Sequence, residues 1–302
     1  MTTIAVVAHQ KKQLGGGLGE LRRVLRMRGH AEPLWYEARS TKQIPDLVRE
    51  AMAAGAETIF IWGGDGSVQR GVDVVAGSEV DLAILPAGTA NLLARNLGIP
   101  IDLTAAVDIG LGGDRRRLDV GVLNDERFAV MAGVGYDALV MREADDTLKR
   151  HLGQLAYVVS GTRATKMKSR KVRVTVDDKL WFEGRATCVL LGQMSAFAGG
   201  IRVFPRSRPD DGLLDVGVVT AETPLQWARV LSRLVVGRAA GSPFTQMTQG
   251  RLIDIKLSRR MAYEVDGGAR KETKRLHASV EPGALLVRVP RPKSPGGFAR
   301  PV

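Results

Sequence analysis

Over roughly the first 120 residues, short runs of apolar and β-branched side chains alternate with stretches in which apolar positions recur every three to four residues. Ile4 to Ala8, Thr58 to Trp62 and Leu82 to Leu85 read as strands. Between the first two, Ile44, Leu47, Val48, Ala51 and Met52 fall at i, i+3, i+4, i+7 and i+8, the spacing of one buried helix face. Pro45 suits the first turn of that helix, where its missing N–H is not needed. Strand and helix patterns in alternation predict a doubly wound α/β domain with a largely parallel sheet over residues 1–122.

After Leu123 the pattern changes to apolar runs separated by turn residues. Asn124-Asp125, Asp177-Asp178 and Asp266-Gly267-Gly268 are each placed as hairpin turns. They predict a second, mainly antiparallel β domain over residues 123–280, interrupted by helices around Leu148 to Thr162 and Pro224 to Val236. A last apolar strand, Leu285 to Val289, is available to complete the first domain through residues 281–290. The tail, 291–302, has prolines, glycines and basic residues without apolar period and reads as a mobile basic segment. No internal repeat stands out.

Composition narrows the partners. The chain of 302 residues has 44 Lys and Arg against 32 Asp and Glu, a net charge of +12, so something anionic is expected to meet it. Aromatic residues are only 5%, too few for the stacking platforms of single-stranded nucleic-acid binders, and no nucleic-acid partner is expected. The single cysteine, Cys188, sits in an apolar run, has no intrachain disulfide partner and reads as a small core residue. No run reaches the ~18 apolar residues of a membrane span. The expected location is cytoplasmic, with transient contact at the inner membrane surface; a homo-oligomer stays open.

The segment with most chemistry is Ile59-Phe60-Ile61-Trp62-Gly63-Gly64-Asp65-Gly66-Ser67, an apolar strand running into a glycine-rich turn ahead of a helix with Val68, Val72 and Val75 on one face. Glycines let the backbone approach phosphate oxygens, and a following helix offers unpaired N–H groups. Asp65 makes sense there if Mg²⁺ lies between it and the phosphates, or else as an N-cap; Ser67 can cap the helix or donate to a phosphate. A second strand-loop-helix follows, Leu82 to Asn91 and then Leu92 to Pro100, in which Thr89 and Asn91 supply hydroxyl and amide groups of the kind that orient a nucleotide. Arg95 is read as a solvated helix charge in preference to a phosphate contact.

Those two loops, in order and spacing, resemble the catalytic domain of the diacylglycerol kinase family, which includes bacterial lipid kinases and sphingosine kinases. The family pattern is G-G-D-G-T followed by P-x-G-T-x-N. Ala132-Gly133-Val134-Gly135-Tyr136-Asp137, Pro209-Asp210-Asp211-Gly212-Leu213-Leu214-Asp215-Val216 and Pro282-Gly283-Ala284-Leu285 through Val289-Pro290 extend the resemblance over most of the chain. It implies an α/β nucleotide domain joined to an antiparallel β-sandwich, with ATP and a lipid hydroxyl meeting in the cleft between them. It also implies that Gly63, Gly64, Asp65, Gly66, Ser67, Val68, Gln69 and Thr89 contact ATP. Asp211, through its carboxylate, and the carbonyls of Arg208 and Leu213 would bind Mg²⁺. The implied reaction is phosphorylation of a lipid alcohol, diacylglycerol foremost; a soluble-substrate kinase such as an NAD kinase, or a weakly catalytic nucleotide- or lipid-binding protein, are the alternatives.

Three positions depart from the family. Ser67 replaces threonine and keeps the hydroxyl, while Ala8-His9-Gln10 stands where the family has Asn-Pro. At the D-G-E turn, home of the family's proton-accepting glutamate, the chain reads Val265-Asp266-Gly267-Gly268. Gly268 cannot accept a proton, and Asp266, with Asp65 second, is the expected substitute. Lys166 to Lys171 and Arg115 to Arg117 are basic clusters; each by itself reads first as a solvated loop, and the run 166–171 is the one expected to help hold the protein on an anionic membrane.

Overall fold

The computed structural model describes residues 2–135, 169–196, 202–235 and 242–292. The chain divides into two compact units built from non-contiguous pieces: residues up to Val68, Glu79–Arg116 and from Leu286 on in the first, Gln69–Ser78 and Arg117–Leu285 in the second.

In the first unit, β1 (Ile4–His9), β2 (Leu34–Ala38), β3 (Thr58–Gly63) and β4 (Asp81–Pro86) form a parallel sheet in the order β2-β1-β3-β4. β1, β3 and β4 are buried along their whole length, as continuous apolar strands are when helices cover both sheet faces. The crossovers are α1 (Gly17–Met27) and α2 (Ile44–Ala53); α4 (Leu92–Asn96) and α5 (Leu103–Gly112) follow β4. Ile44, Val48 and Ala51 form the buried stripe of α2, the face that the apolar spacing marks. α3 (Asp65–Val75) begins in this unit and ends in the second, and its Val68, Val72 and Val75 are buried. β16 (Thr273–Val289) returns to the first unit at its end, where Val287 lies parallel beside Leu82.

The second unit turns on left-handed residues at the hairpins. Asn124 (φ 54°) joins β5 (Asp114–Leu123) to β6 (Glu126–Phe128); Asp177 and Asp178 (φ 46° and 62°) join β8 (Arg170–Val176) to β9 (Lys179–Ala186). Short polar side chains tolerate this conformation, which matches the twist of the flanking strands. One antiparallel layer runs β9-β8-β13-β16, with β13 spanning Leu252–Met261. The other runs β12 (Thr245–Gly250), β11 (Leu214–Val219), β10 (Cys188–Gly192), β7 (Met131–Val134), β14 (Tyr263–Val265) and β15 (Gly268–Ala269). Val172, Val174, Ile253, Ile255 and Leu276 of the first layer share one core with Val134, Val189, Leu191, Val216 and Val218 of the second, a β-sandwich.

Cys188 is buried in β10, as expected of a core residue. α6 (Pro224–Val235) buries Trp227, Val230 and Leu234. The helix expected around Leu148 to Thr162, the pair Tyr136-Asp137, Lys166 to Lys168 and the tail from 293 lie outside the described residues. Among the described residues no helix is long and apolar enough to cross a membrane.

Candidate active site

β3 and β4 are neighbours in register, Gly63 opposite Pro86, so their two loops leave the same sheet edge side by side. The loops touch backbone to backbone. A Cβ built on Gly88 would lie 2.4 Å from the Cα of Gly64 and 2.7 Å from Asn91 Oδ1, and one on Gly64 would lie 3.1 Å from the Cα of Gly88. Gly88 admits no side chain without parting the loops, and Gly64 is tight against the same backbone. Gly64 O accepts the N–H groups of Ser67 and Val68, starting α3, while Gly66 and Thr89 stay exposed on the loop surface.

Asp65 holds the pair together. Its Oδ2 accepts the N–H of Asn91 at 2.9 Å and its Oδ1 accepts the N–H of Leu92, so it caps α4 of the neighbouring loop. Its carboxylate therefore has a structural task that neither sequence expectation names, the bracing of the neighbouring loop. Burial pushes its pKa up, while the N–H groups of Leu92 and Asn91 and the charge of Arg95 pull it down.

Other expected contacts are redirected. Asn91, left-handed at φ 50°, accepts from Gly88 N and donates to the carbonyls of Gly88 and Pro86, so its amide shapes its own loop and is not left for a nucleotide. Ser67 is buried and packs on Gly63, where an added Cβ would sit 2.4 Å from the serine Cβ; its hydroxyl does not cap α3. Val68 is buried on the apolar face of α3, and Gln69 Nε2 donates to the carbonyl of Arg127 at 2.8 Å. The side chains of Val68 and Gln69 are thus withdrawn as ATP contacts. Arg95 Nε donates to Ala90 O, and the side chain is exposed. At the end of β1, His9 is buried, and burial followed by the Lys12 charge lowers its pKa, so it favours the neutral ring.

The expected substitute base has a structural task as well. Both oxygens of Asp266 are occupied: Oδ2 accepts Ala129 N at 2.9 Å, and Oδ1 accepts Val130 N at 3.0 Å and Met131 N at 2.9 Å. Three backbone donors make this carboxylate an anchor for the entry to β7, a task that competes with proton transfer. A Cβ at Gly268 would meet Arg270 Nη1 at 2.6 Å, and Arg270 is itself engaged by Glu126, with Nε 2.7 Å from Oε2.

At the Asp210-Asp211-Gly212 turn, a residue that the sequence reading passed over does the bracing. Asp119, buried in β5, accepts Gly212 N at 2.6 Å and Gly283 N at 2.7 Å, while its own N–H donates to Pro209 O. The signal was present: an aspartate flanked by Leu118 and Val120 in an apolar strand must find partners. Arg208 and Asp211 are exposed; Asp211 Oδ1 accepts Leu213 N at 3.1 Å. Burial first, and then the Asp211 charge, push the Asp215 carboxyl up to about 6. Among the described residues no group of three or more His, Cys, Asp or Glu side chains is gathered for a metal. Arg115, of the second basic cluster, is bound to Asp81 and Glu79.

Comparison with known proteins follows the same outline. Residues 9–123 match the diacylglycerol kinase catalytic domain, and residues 130–289 match the YegS C-terminal NAD kinase beta sandwich-like domain. A Pseudomonas aeruginosa protein named "Probable lipid kinase YegS-like" is 33% identical over 247 residues, covering 81% of this chain and 80% of its own. A Staphylococcus saprophyticus protein named "Diacylglycerol kinase" is 27% identical over 236 residues, covering 76% and 77%. Two solved structures speak for the fold alone. A diacylglycerol kinase from Bacillus anthracis superposes with a TM-score of 0.73 at 21% identity, covering 95% of this chain and 96% of that one. An NAD kinase from Archaeoglobus fulgidus in complex with ATP gives 0.52 at 12% identity, covering 95% and 93%. With both halves matched in order and one third of aligned residues shared with a lipid kinase relative, the chain belongs to the family of diacylglycerol kinase-like lipid kinases.

Proposed function

We propose that this enzyme transfers the γ-phosphoryl group of ATP to the free hydroxyl of diacylglycerol. The observation that carries the ATP site is the backbone contact between Gly64 and Gly88, locked by Asp65, which leaves Gly66 and Thr89 exposed at the start of α3. Small residues and a helix N-terminus together suit polyphosphate oxygens. Gly63 to Ser67 and Thr89 line the ATP site in this reading, with the exposed Gly66 backbone and the Thr89 hydroxyl turned to the phosphates.

Asp211, with the carbonyls of Arg208 and Leu213, is the proposed Mg²⁺ set. The donors are hard oxygens, and the mutual charge of Asp211 and Asp215 is of the kind that a divalent cation relieves. Magnesium there would supply order and charge neutralisation.

The lipid oxygen forms the new P–O bond as the bond to ADP breaks, and its hydroxyl proton leaves to an oxygen of the transferred phosphoryl group or to water. With Asp266 bound by three N–H groups and no side chain at 268, the turn offers no uncommitted side chain to take the hydroxyl proton. Phosphoryl transfer through a loose transition state rests mostly on positioning, so the loss of a base slows the reaction without abolishing it. That same turn favours, as a second reading, a weakly catalytic nucleotide- or lipid-binding protein. Incubation with labelled ATP, Mg²⁺ and either mixed lipids or soluble NAD separates the readings. Label in the organic phase supports lipid phosphorylation, aqueous product would replace the lipid with a soluble substrate, and ATP binding without product would leave the second reading.

A further inference from the structure

The outward face of the β9-β8-β13-β16 layer has a charge pattern that folding alone does not explain. Val172, Val174, Ile253, Ile255 and Leu276 point into the sandwich core, so the residues between them point out. Strand register sets Arg173 opposite Lys256, and Lys256 opposite Arg275, a row of three exposed cations on adjacent strands. Like charges directly opposite on one sheet face oppose strand pairing.

Neighbouring acids relieve only part of this row. Glu183 pairs with Arg173 at 2.7 Å, and Asp254 is taken by His277 at 2.9 Å. Lys256 and Arg275 meet no carboxylate among the described residues. Along β8, exposed Lys171 stands opposite Arg185, which is itself paired with Glu222 at 3.3 Å, and Leu180, opposite Thr175, is 58% exposed. The result is a sheet face with uncompensated cations and one apolar side chain at its edge.

We propose that this face docks on an anionic phospholipid surface, with the Arg173-Lys256-Arg275 row supplying the attraction and Leu180 the apolar contact. The choice of partner rests on the lipid-substrate reading above. A sheet face presents its side chains toward a common surface, as a leaflet of anionic headgroups does, and such headgroups relieve the repulsion within the row. The row offers no aromatic ring for base stacking, which disfavours single-stranded nucleic acid.

The test is co-sedimentation with phosphatidylcholine vesicles containing phosphatidylglycerol, at low salt. Wild type is compared with Arg173→Gln/Lys256→Gln/Arg275→Gln and with Arg26→Gln/Arg39→Gln/Arg49→Gln, which removes the same charge from the first unit. Each basic residue near an anionic leaflet is worth about fivefold in partition, so the row variant falls on the order of 20-fold or more and the control within about threefold. Equal losses in both variants, or none in the row variant, overturn the proposal. The row variant unfolds at the same or a higher temperature than wild type; should it fail to fold, Lys256→Gln alone must lose about fivefold. Tighter row-dependent binding to oligonucleotides than to vesicles also overturns it. On diacylglycerol in neutral detergent micelles the row variant keeps wild-type turnover. If wild type phosphorylates no lipid there while vesicle binding still needs the row, the substrate reading has failed and the docking face stands.

Discussion

The carboxylate of Asp65 receives the backbone N–H of Asn91 at 2.9 Å, a hydrogen bond across 26 positions of sequence that fastens one glycine-rich loop to the other. A second bond, from Leu92 N, completes the lock.

Replacing Asp65 by Asn leaves one acceptor oxygen and turns an amide N–H₂ toward a backbone donor. The expected cost is about 1–3 kcal/mol of stability, with weaker ATP binding, read by denaturant midpoint and ATP titration. Burial raises the Asp65 pKa above its ordinary 3.8. A raised carboxyl contributes stability below its unfolded pKa and loses it as pH climbs through the folded one. The advantage of wild type over Asp65→Asn is therefore widest below pH 3.8 and narrows as pH rises; a gap that widens instead would contradict the burial argument.

Gly88→Ala brings a methyl group within 2.4 Å of the Gly64 Cα, a contact that no rotamer relieves. The loops must part, at about 1–3 kcal/mol in stability and on the order of 10²-fold in kcat/KM for ATP. Gly112→Ala, where nothing lies within 4 Å, is the matched control and stays near wild type. Steady-state kinetics of the pair checks this.

Asp266→Asn tests an anchor against a base. Losing one acceptor among three backbone donors destabilises the protein by about 1–3 kcal/mol, while turnover per folded molecule stays near wild type. A loss of turnover without loss of stability would return Asp266 to the chemistry. The complementary variant, Gly268→Glu, must displace the Arg270 guanidinium, a flexible tip, and is expected to raise turnover by up to the ~10²-fold at the low end of general-base assistance.

Burial pushes the Cys188 thiol up to about 12. The thiolate is the reactive form, so the folded protein resists thiol reagents at pH 8, and labelling follows unfolding. Rapid modification in the native state, followed by absorbance, would show that β10 opens.

The strands, the helix faces and the hairpin turns were legible in the amino-acid order, because each is decided by side chains a few positions apart. Ile44, Val48 and Ala51 lie on one buried stripe since an α-helix repeats every 3.6 residues. Asp177-Asp178 turns a hairpin because short polar side chains accept positive φ. The glycine-rich loops and the family were legible for the same local reason. Partners were not. Asp65, Asn91, Gln69 and Asp266 were read by chemical type as ligands or bases, and each is committed to backbone groups that the folded chain brings beside it, up to 137 positions away for Asp266. A carboxylate or amide acts on whatever donor stands within hydrogen-bonding reach, and only tertiary structure sets that distance.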